Sequence, residues 1–183
     1  MKQADDLRAI LRGEPLLMAM LGAVRTINLP DCWIAAGTIR SAVWDMLHGW
    51  PVSTDWADVD VLFFDAGDVA RDRESAAEAE LSRLCTGPNW EVRNQARMHS
   101  KVGNPPYCDT EDGLRHFAET PTAVGVRLVG DQIDILAPHG LDDLFSLTVR
   151  PTATDDRNMA YYRARMATKN WPGRWPKVRV LGL

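Results

Sequence analysis

The feature that most restricts the fold is a short apolar segment, 32–36, which ends at Gly37 and is followed by a helical pattern. A brief apolar run closed by glycine is typical of a buried strand. Apolar residues then recur at helical spacing over 39–47, and Thr38 is placed to cap that helix. The sequence therefore predicts a strand, a glycine turn and a helix in direct succession.

Further strands follow this unit. Residues 58–64 begin with alternating acidic and apolar side chains and end in an apolar run, as expected of a central strand. The later predicted elements are a polar helix over 69–85, a strand over 90–95, and two strands over 123–129 and 132–136 that flank a Gly-Asp hairpin signal. With two helices before residue 30, the pattern predicts an α+β fold, a mixed β-sheet flanked by helices.

The length of 183 residues favours a single domain, 1–183. Within it we expect N-terminal helices over 1–30, a core over 31–150, and a C-terminal basic helix and tail over 151–183. The longest apolar run near the start, 16–21, is far shorter than the ~20 residues that a membrane span needs. Because no signal peptide is recognisable either, we expect a cytoplasmic protein without a membrane partner.

Charge is unevenly distributed along the chain. The net charge is −4, yet residues 157–183 contain seven basic and no acidic side chains, so the remaining residues carry −11. Such a block is typical either of a segment docked on an acidic body or of a surface for a polyanion. The interleaved Trp171 and Trp175 favour docking, although basic and aromatic side chains together are also typical of single-strand binding.

The three cysteines form no CxxC pair, which indicates a reducing compartment and three free thiols. One alternative is a zinc site that would combine thiols and imidazoles: Cys85, His99, Cys108 and His116. Their long spacing weakens this alternative, because no close pair would fix two ligands together.

Acidic residues on strands are the main candidates for chemistry. Asp58 and Asp60 lie two apart, so both side chains leave one face of the strand. Two carboxylates in this arrangement can hold Mg²⁺ together with phosphate oxygens and water. Asp134, between two isoleucines on the second hairpin strand, is a third candidate if its strand is adjacent. Each acid could instead be an exposed residue at a strand end.

The turn after the first strand is the candidate phosphate site. Gly37 and Thr38 offer backbone amides at the positive end of the following helix, and Arg40 adds a forked donor. A tight turn with a solvent-facing arginine is the alternative interpretation.

Together, Ala36-Gly37-Thr38-Ile39-Arg40, Asp58-Val59-Asp60 and the later strand acid resemble the minimal active site of the DNA polymerase beta-like nucleotidyltransferase superfamily. The Gly37-x-Ile39-Arg40 turn is similar to the glycine-x-valine-arginine segment of tRNA nucleotidyltransferases and bacterial poly(A) polymerases. More narrowly, the chain resembles a bacterial nucleotidyltransferase-like family of unknown function over almost its whole length. The matching segments are 33–37, 40 with 43–45, 58–60, 90–99, 121–125, 137–145, 169–171 and 175–176.

The resemblance implies a nucleotidyltransferase fold in which Asp58, Asp60 and Asp134 bind two Mg²⁺ ions, with Mn²⁺ as a substitute, and act as the catalytic acids. Gly37, Thr38 and Arg40 would bind the nucleotide. The chain has Gly-Thr where the superfamily usually has Gly-Ser. Asp134 is assigned only by its order and strand character, which leaves Asp142 and Asp143 as rivals.

Polar residues after the strand at 90 form a second candidate group. Asn94, Gln95, Arg97 and His99 alternate along the expected strand extension and could bind nucleotide above the metal site. A buried hydrogen-bond network is the alternative. The tryptophans at 33, 44, 90 and 171 are expected in the core rather than as stacking platforms.

These observations predict a metal-dependent nucleotidyltransferase that binds ATP or another nucleoside triphosphate and transfers a nucleoside monophosphate to RNA, a protein or a small molecule. The alternatives are a non-catalytic nucleotide-binding or nucleic-acid-binding sensor and a metal-dependent phosphohydrolase. Neither base preference, acceptor nor subunit number is encoded in a recognisable motif.

Overall fold

Two helices begin the chain, as the sequence predicts. The computed structural model describes residues 2–54 and 58–183. Helix α1 spans Lys2–Gly13 and α2 spans Pro15–Ile27. Pro15 begins α2 at a position where the missing amide costs no helical hydrogen bond. The apolar side of α2 packs against the central sheet and forms part of the main core.

The central sheet is mixed. Its strands are β1 Trp33–Ala35, β2 Val59–Phe63, β3 Trp90–Asn94, β4 Gly125–Val129 and β5 Gln132–Leu136. Their spatial order is β3-β2-β1-β4-β5, with β2 and β3 parallel and the other neighbours antiparallel. This arrangement confirms the predicted mixed sheet and the hairpin between β4 and β5.

The two faces of the sheet have different surroundings. Ile34, Val61 and Val126 point into the main core on one face. The other face carries a smaller apolar cluster that includes Ala35 and Leu62. Because side chains alternate along a strand, the acid at position 60 lies on this second, less covered face.

Helices connect the strands. They are α3 Gly37–Leu47, α4 Arg71–Leu84, α5 Gln95–Val102, α6 Thr110–Arg115 and α7 Asp142–Phe145, with a 3₁₀ turn at Thr120–Thr122. Helix α5 corrects the predicted strand extension, because the chain leaves the sheet after Asn94. The Asn94 side chain caps α5 by accepting a hydrogen bond from the amide of Ala96 at 3.1 Å.

The C-terminal segment docks on the body of the molecule. Helices α8 (Asp156–Thr168) and α9 (Trp171–Arg174) precede β7 (Arg179–Val180), which pairs in parallel with β6 (Thr148–Val149). The rings of Trp171 and Trp175 contact Trp44 edge-on, with centroid separations of 5.6 and 5.2 Å. This packing confirms the prediction of docking, and the tryptophans at 33, 44, 90 and 171 are buried as expected.

All three cysteines are free thiols, as predicted, and only Cys108 is exposed. Among residues 2–54 and 58–183, no group of three or more His, Cys, Asp or Glu side chains is arranged to hold a metal. The zinc alternative therefore has no cluster there to support it. Every helix in these ranges is too short or too polar to cross a bilayer.

Candidate active site

The backbone is strained at the turn between β1 and α3. Ala36 has φ 62° and ψ −127°, a conformation that residues with a side chain rarely adopt. Its amide donates to the carbonyl of Val124, and its own carbonyl accepts from the amide of Arg40, both at 3.1 Å. The sheet and the helix therefore fix this turn from both sides. Strain of this kind is concentrated at functional sites.

The glycine that predicted the turn, Gly37, is not the strained residue. It lies outside the left-handed region, and among the residues that the structure describes a Cβ atom built on it would meet only Arg40 Nη2, at 3.7 Å. The packing of the protein alone therefore does not require glycine here. The missing side chain leaves room beside the first amides of α3, where unpaired N–H groups and the helix dipole attract anions.

Two buried polar side chains at this turn have atoms without a hydrogen-bond partner. Thr38 is 1% exposed, and its Oγ1 has none within the described residues. The prediction that Thr38 caps α3 is wrong, because the N-cap position belongs to Ala36. Arg40 is 8% exposed, and its Nε is also without a partner there. Buried polar atoms are normally satisfied, so these two are available to hydrogen-bond a polar ligand or water.

Arg40 is held mainly by aromatic rings. Its Cζ lies 4.5 Å from the centroid of Trp171 and 5.2 Å from that of Trp44, and Nη1 donates weakly to Thr122 Oγ1 at 3.4 Å. Burial lowers the pKa of Arg40 to about 10. No carboxylate in the described ranges forms an ion pair with it. A buried cation without an ion-pair partner is unfavourable in free energy, and an anionic ligand would offset that free-energy cost.

The acid pair lies beside this turn. Asp60 on β2 is the register partner of Ala35, the residue before the strained Ala36. Burial, together with the negative charges of Asp58 and Glu91, raises the pKa of Asp60 to about 6. Asp58 is exposed immediately before β2. The structure thus brings Asp60 close to the start of α3 and places a second acid two residues away.

Glu91 is a further acid that the sequence analysis did not select. It lies on β3 directly opposite Asp60, one strand spacing away and on the same face of the sheet. Its carboxylate also accepts from Arg93 Nη2 at 3.0 Å. The alternation of apolar and charged residues over 90–94 would have identified this acid if the pairing of β2 with β3 had been known.

These carboxylates fit a hard divalent cation. Mg²⁺ is usually bound through one or two carboxylates plus substrate phosphates and water, so a complete protein cage is not needed. The raised pKa of Asp60 marks a place where negative charge lacks compensation. Asp58 and Asp60 would be the ligands of such an ion.

Asp134 does not join the other acids, which corrects the predicted cluster. It lies on β5, three strand spacings from β2, so roughly 14 Å or more separates it from Asp60. Its partner is Arg127, whose Nη2 lies 3.4 Å from Asp134 Oδ2. The rival Asp143 lies in the first turn of α7 and accepts a hydrogen bond from Thr120 Oγ1 at 2.7 Å. Neither residue lies in the cross-strand row formed by Ala35, Asp60 and Glu91.

Asn94, predicted to bind nucleotide, has structural partners instead. Its side-chain nitrogen donates to the carbonyls of Asp65 and Asp68, both at 2.8 Å, and its oxygen accepts from the amide of Asp65 at 3.0 Å. Asn94 is fully buried. It therefore ties the loop after β2 to the start of α5.

Gln95 and Arg97 likewise bind within the protein. The side-chain Nε2 of Gln95 donates to the carbonyl of Arg93 at 3.2 Å, and the Arg97 guanidinium pairs with the buried Glu74 carboxylate. These contacts correspond to the hydrogen-bond network that the sequence left open as the alternative. Arg97 and Arg93 also line a polar hollow of about 270 Å³ between α4, β3 and α5.

The fold and site define a nucleotidyltransferase-like protein: a mixed sheet, a strained turn at the start of a helix, and an acid pair at the beginning of the next strand. A family model described as nucleotidyltransferase matches residues 22–180, and the chain belongs to this family.

Two solved structures are similar. One, an NMR structure described as revealing a CCA-adding enzyme head domain, is 32% identical with a TM-score of 0.82, and the match covers 94% of each chain. The other is the Bacillus stearothermophilus CCA-adding enzyme in complex with CTP, which is 16% identical with a TM-score of 0.52. That match covers 84% of this chain and 38% of the enzyme, and supports the fold alone. No curated protein matches the sequence.

Proposed function

We propose that the chain is a Mg²⁺-dependent nucleotidyltransferase that transfers a nucleoside monophosphate from a nucleoside triphosphate to an acceptor. The observation that carries the proposal is the position of Asp60 beside Ala35, one residue before a strained turn that leads to Thr38 and Arg40. A carboxylate for a cation and unpartnered donors for an anion therefore lie at the two sides of one turn.

The turn would bind the triphosphate. First-turn amides of α3 and the Thr38 hydroxyl can donate to phosphate oxygens, and the unpartnered Nε of Arg40 supplies a charged donor. The opening beside Gly37 lets phosphate approach the backbone closely. Binding the phosphates here would satisfy the polar atoms that the protein leaves without partners.

In the proposed reaction the acceptor hydroxyl gives its proton to the Glu91 carboxylate and its oxygen forms a bond to the α-phosphorus. The bond from that phosphorus to the oxygen bridging the α- and β-phosphates breaks, and pyrophosphate leaves. Mg²⁺ bound to Asp58 and Asp60 would stabilise charge on the transferring phosphoryl group. The protein's residues mainly position the reactants, because phosphoryl transfer needs little covalent work from a protein. We assign to Glu91, rather than Asp134, the place of the third acid, since it faces Asp60 directly.

We propose no preference for one base of the nucleoside triphosphate. The CTP in the B. stearothermophilus complex belongs to that enzyme. The similarity to CCA-adding enzyme structures makes RNA with a free 3′ hydroxyl the first acceptor to test, before proteins and small molecules.

The test is transfer of label from each of four α-³²P nucleoside triphosphates in the presence of Mg²⁺, with pyrophosphate release measured in parallel. We expect transfer to at least one acceptor, its loss in EDTA, and a fall of at least about 100-fold for Asp60→Asn. Asp134→Asn is the matched control, because it removes the same charge from a distant strand, and it should retain activity.

Other outcomes would contradict the proposal. A metal-dependent rise in melting temperature with no pyrophosphate release for any acceptor would favour a sensor. Release of orthophosphate without an acceptor would favour a phosphohydrolase. Equal losses for Asp60→Asn and Asp134→Asn would remove the special role of the acid pair.

A further inference from the structure

The basic C-terminal segment has a feature that docking alone does not explain. Most of its charged side chains are exposed, but Arg165 of α8 is only partly exposed and pairs with the buried Glu119. Arg174, at the end of α9, stacks on Trp175 with its Cζ 4.4 Å from the ring centroid. The same ring lies 5.8 Å from Arg40 Cζ. Arg40 and Arg174 therefore lie against the same tryptophan ring.

A hydrogen-bonded chain links two of these cations. Arg40 Nη1 donates to Thr122 Oγ1, and that hydroxyl donates to Glu119 Oε1 at 2.8 Å. Glu119 in turn accepts from Arg165, through Nε at 2.9 Å and Nη2 at 2.9 Å. Glu119 is 1% exposed, and its carboxylate is used by Arg165. Arg40, Arg165 and Arg174 together with Glu119 carry a net charge of about +2, or about +1 when the nearby Asp60 is counted in its ionised form.

The electrostatics of the group agree with this geometry. Burial lowers the pKa of Arg40 most, Glu119 acts against that effect, and Arg165 and Arg174 add to the lowering. Arg165 also lowers the pKa of Asp60, although less than burial raises it. Arg165 therefore lies within electrostatic range of both the turn and the acid pair.

We infer that Arg165 and Arg174 bind the terminal phosphates of the triphosphate, so that the nucleotide site is completed by the C-terminal segment. This inference rests on the proposed function and adds residues that the turn and acid pair do not include. Like charges gathered around a buried arginine are destabilising, and a ligand with about four negative charges compensates them. The unpartnered Thr38 Oγ1 and Arg40 Nε are independent evidence that an anion belongs there.

The experiment measures binding of inorganic tripolyphosphate by calorimetry at 150 mM salt with Mg²⁺, using the full chain. Tripolyphosphate needs neither a base nor an acceptor, so the result does not depend on catalysis. We expect Arg174→Gln to weaken binding about tenfold, the loss expected from one charged hydrogen bond. Arg163→Gln is the matched control, because it removes the same charge from an exposed position of α8.

The role of Arg165 has to be tested in a variant in which its partner Glu119 is also changed. Arg165→Gln alone would leave the buried Glu119 without its partner and could unfold the protein. The double variant Glu119→Gln, Arg165→Gln is therefore compared with Glu119→Gln alone, after circular dichroism has shown that both fold. We expect the double variant to bind tripolyphosphate about tenfold more weakly than the single variant.

The outcomes separate this inference from the proposed function. Equal losses of tripolyphosphate binding for the Arg163, Arg165 and Arg174 variants would overturn the inference in favour of general charge attraction. The inference would also be overturned if these variants lost no binding, or if the unmodified chain did not bind tripolyphosphate. Selective losses at Arg165 and Arg174 without any pyrophosphate release would support the phosphate site and contradict the transferase.

Discussion

Trp175 Nε1 donates to Asp45 Oδ1 at 2.7 Å, a hydrogen bond between residues 130 positions apart in the sequence. Asp45 lies on α3, the helix that begins at the proposed phosphate turn, and its other oxygen accepts from the amide of Ser53 at 2.9 Å. Both Trp175 and Asp45 are buried. This contact ties the C-terminal segment to the helix that carries Thr38 and Arg40.

We expect Trp175→Phe to lower the free energy of unfolding by about 1 to 3 kcal/mol, because one buried carboxylate oxygen loses its donor. Denaturant unfolding measures the change. Trp50→Phe is the control, since Trp50 is 40% exposed and should change stability by less than about 0.5 kcal/mol. Similar effects for the two variants would contradict the structural role of the contact.

Asp60→Asn should stabilise the metal-free protein at neutral pH. Because the pKa of Asp60 is raised from 3.8 to about 6, its ionised form opposes folding above pH 6, and the protonated form does so less. In EDTA at pH 7.5 we expect a gain of about 1 to 3 kcal/mol, since one pKa unit corresponds to about 1.4 kcal/mol. The gain should shrink as the pH falls below 6 and vanish near pH 3.5. A destabilised or pH-independent variant would contradict the raised pKa.

The strained turn predicts opposite tolerance for two substitutions at one position. Ala36→Gly should leave stability within about 1 kcal/mol of the unmodified chain, because glycine adopts positive φ readily while losing one buried methyl group. Ala36→Val should lower it by about 2 kcal/mol or more, since a β-branched side chain is strained there. Thermal unfolding of both variants is the measurement. Equal stability would mean that the turn has another conformation.

Thiol labelling tests the packing around the cysteines. Only Cys108 is exposed, whereas burial raises the pKa of Cys32 to about 12. We expect iodoacetamide to modify Cys108 alone in the folded protein at pH 8, and all three cysteines in denaturant. Mass spectrometry identifies the labelled sites. Rapid labelling of Cys32 in the folded protein would contradict the core described above.

Local patterns predicted the elements that form this site. The strand, turn and helix over 32–47 and the strand that carries Asp60 could be identified because apolar periodicity and glycine position are local signals. The position of the backbone strain could not be identified from such local signals. Gly37 predicted the turn, but a tertiary hydrogen bond to Val124 and the first helical bond, from Arg40, place the strained conformation on Ala36.

Strand order explains the errors in the predicted site. Asp134 lies on a strand with the expected character, but two strands separate that strand from β2. Glu91 was overlooked because its importance arises from parallel pairing with β2, which a single sequence does not specify. The predicted strand continues past Asn94 to Gln95, Arg97 and His99 because polar residues alternate there, whereas Asn94 ends β3 and its capping bond begins a helix.

The most direct test of the account is a crystal structure of the chain with Mg²⁺ and a non-hydrolysable nucleoside triphosphate. The account predicts Mg²⁺ about 2.1 Å from carboxylate oxygens of Asp58 and Asp60, with phosphate oxygens at Thr38 and Arg40. Phosphates bound instead in the hollow lined by Arg93 and Arg97, with no ion at Asp60, would contradict it.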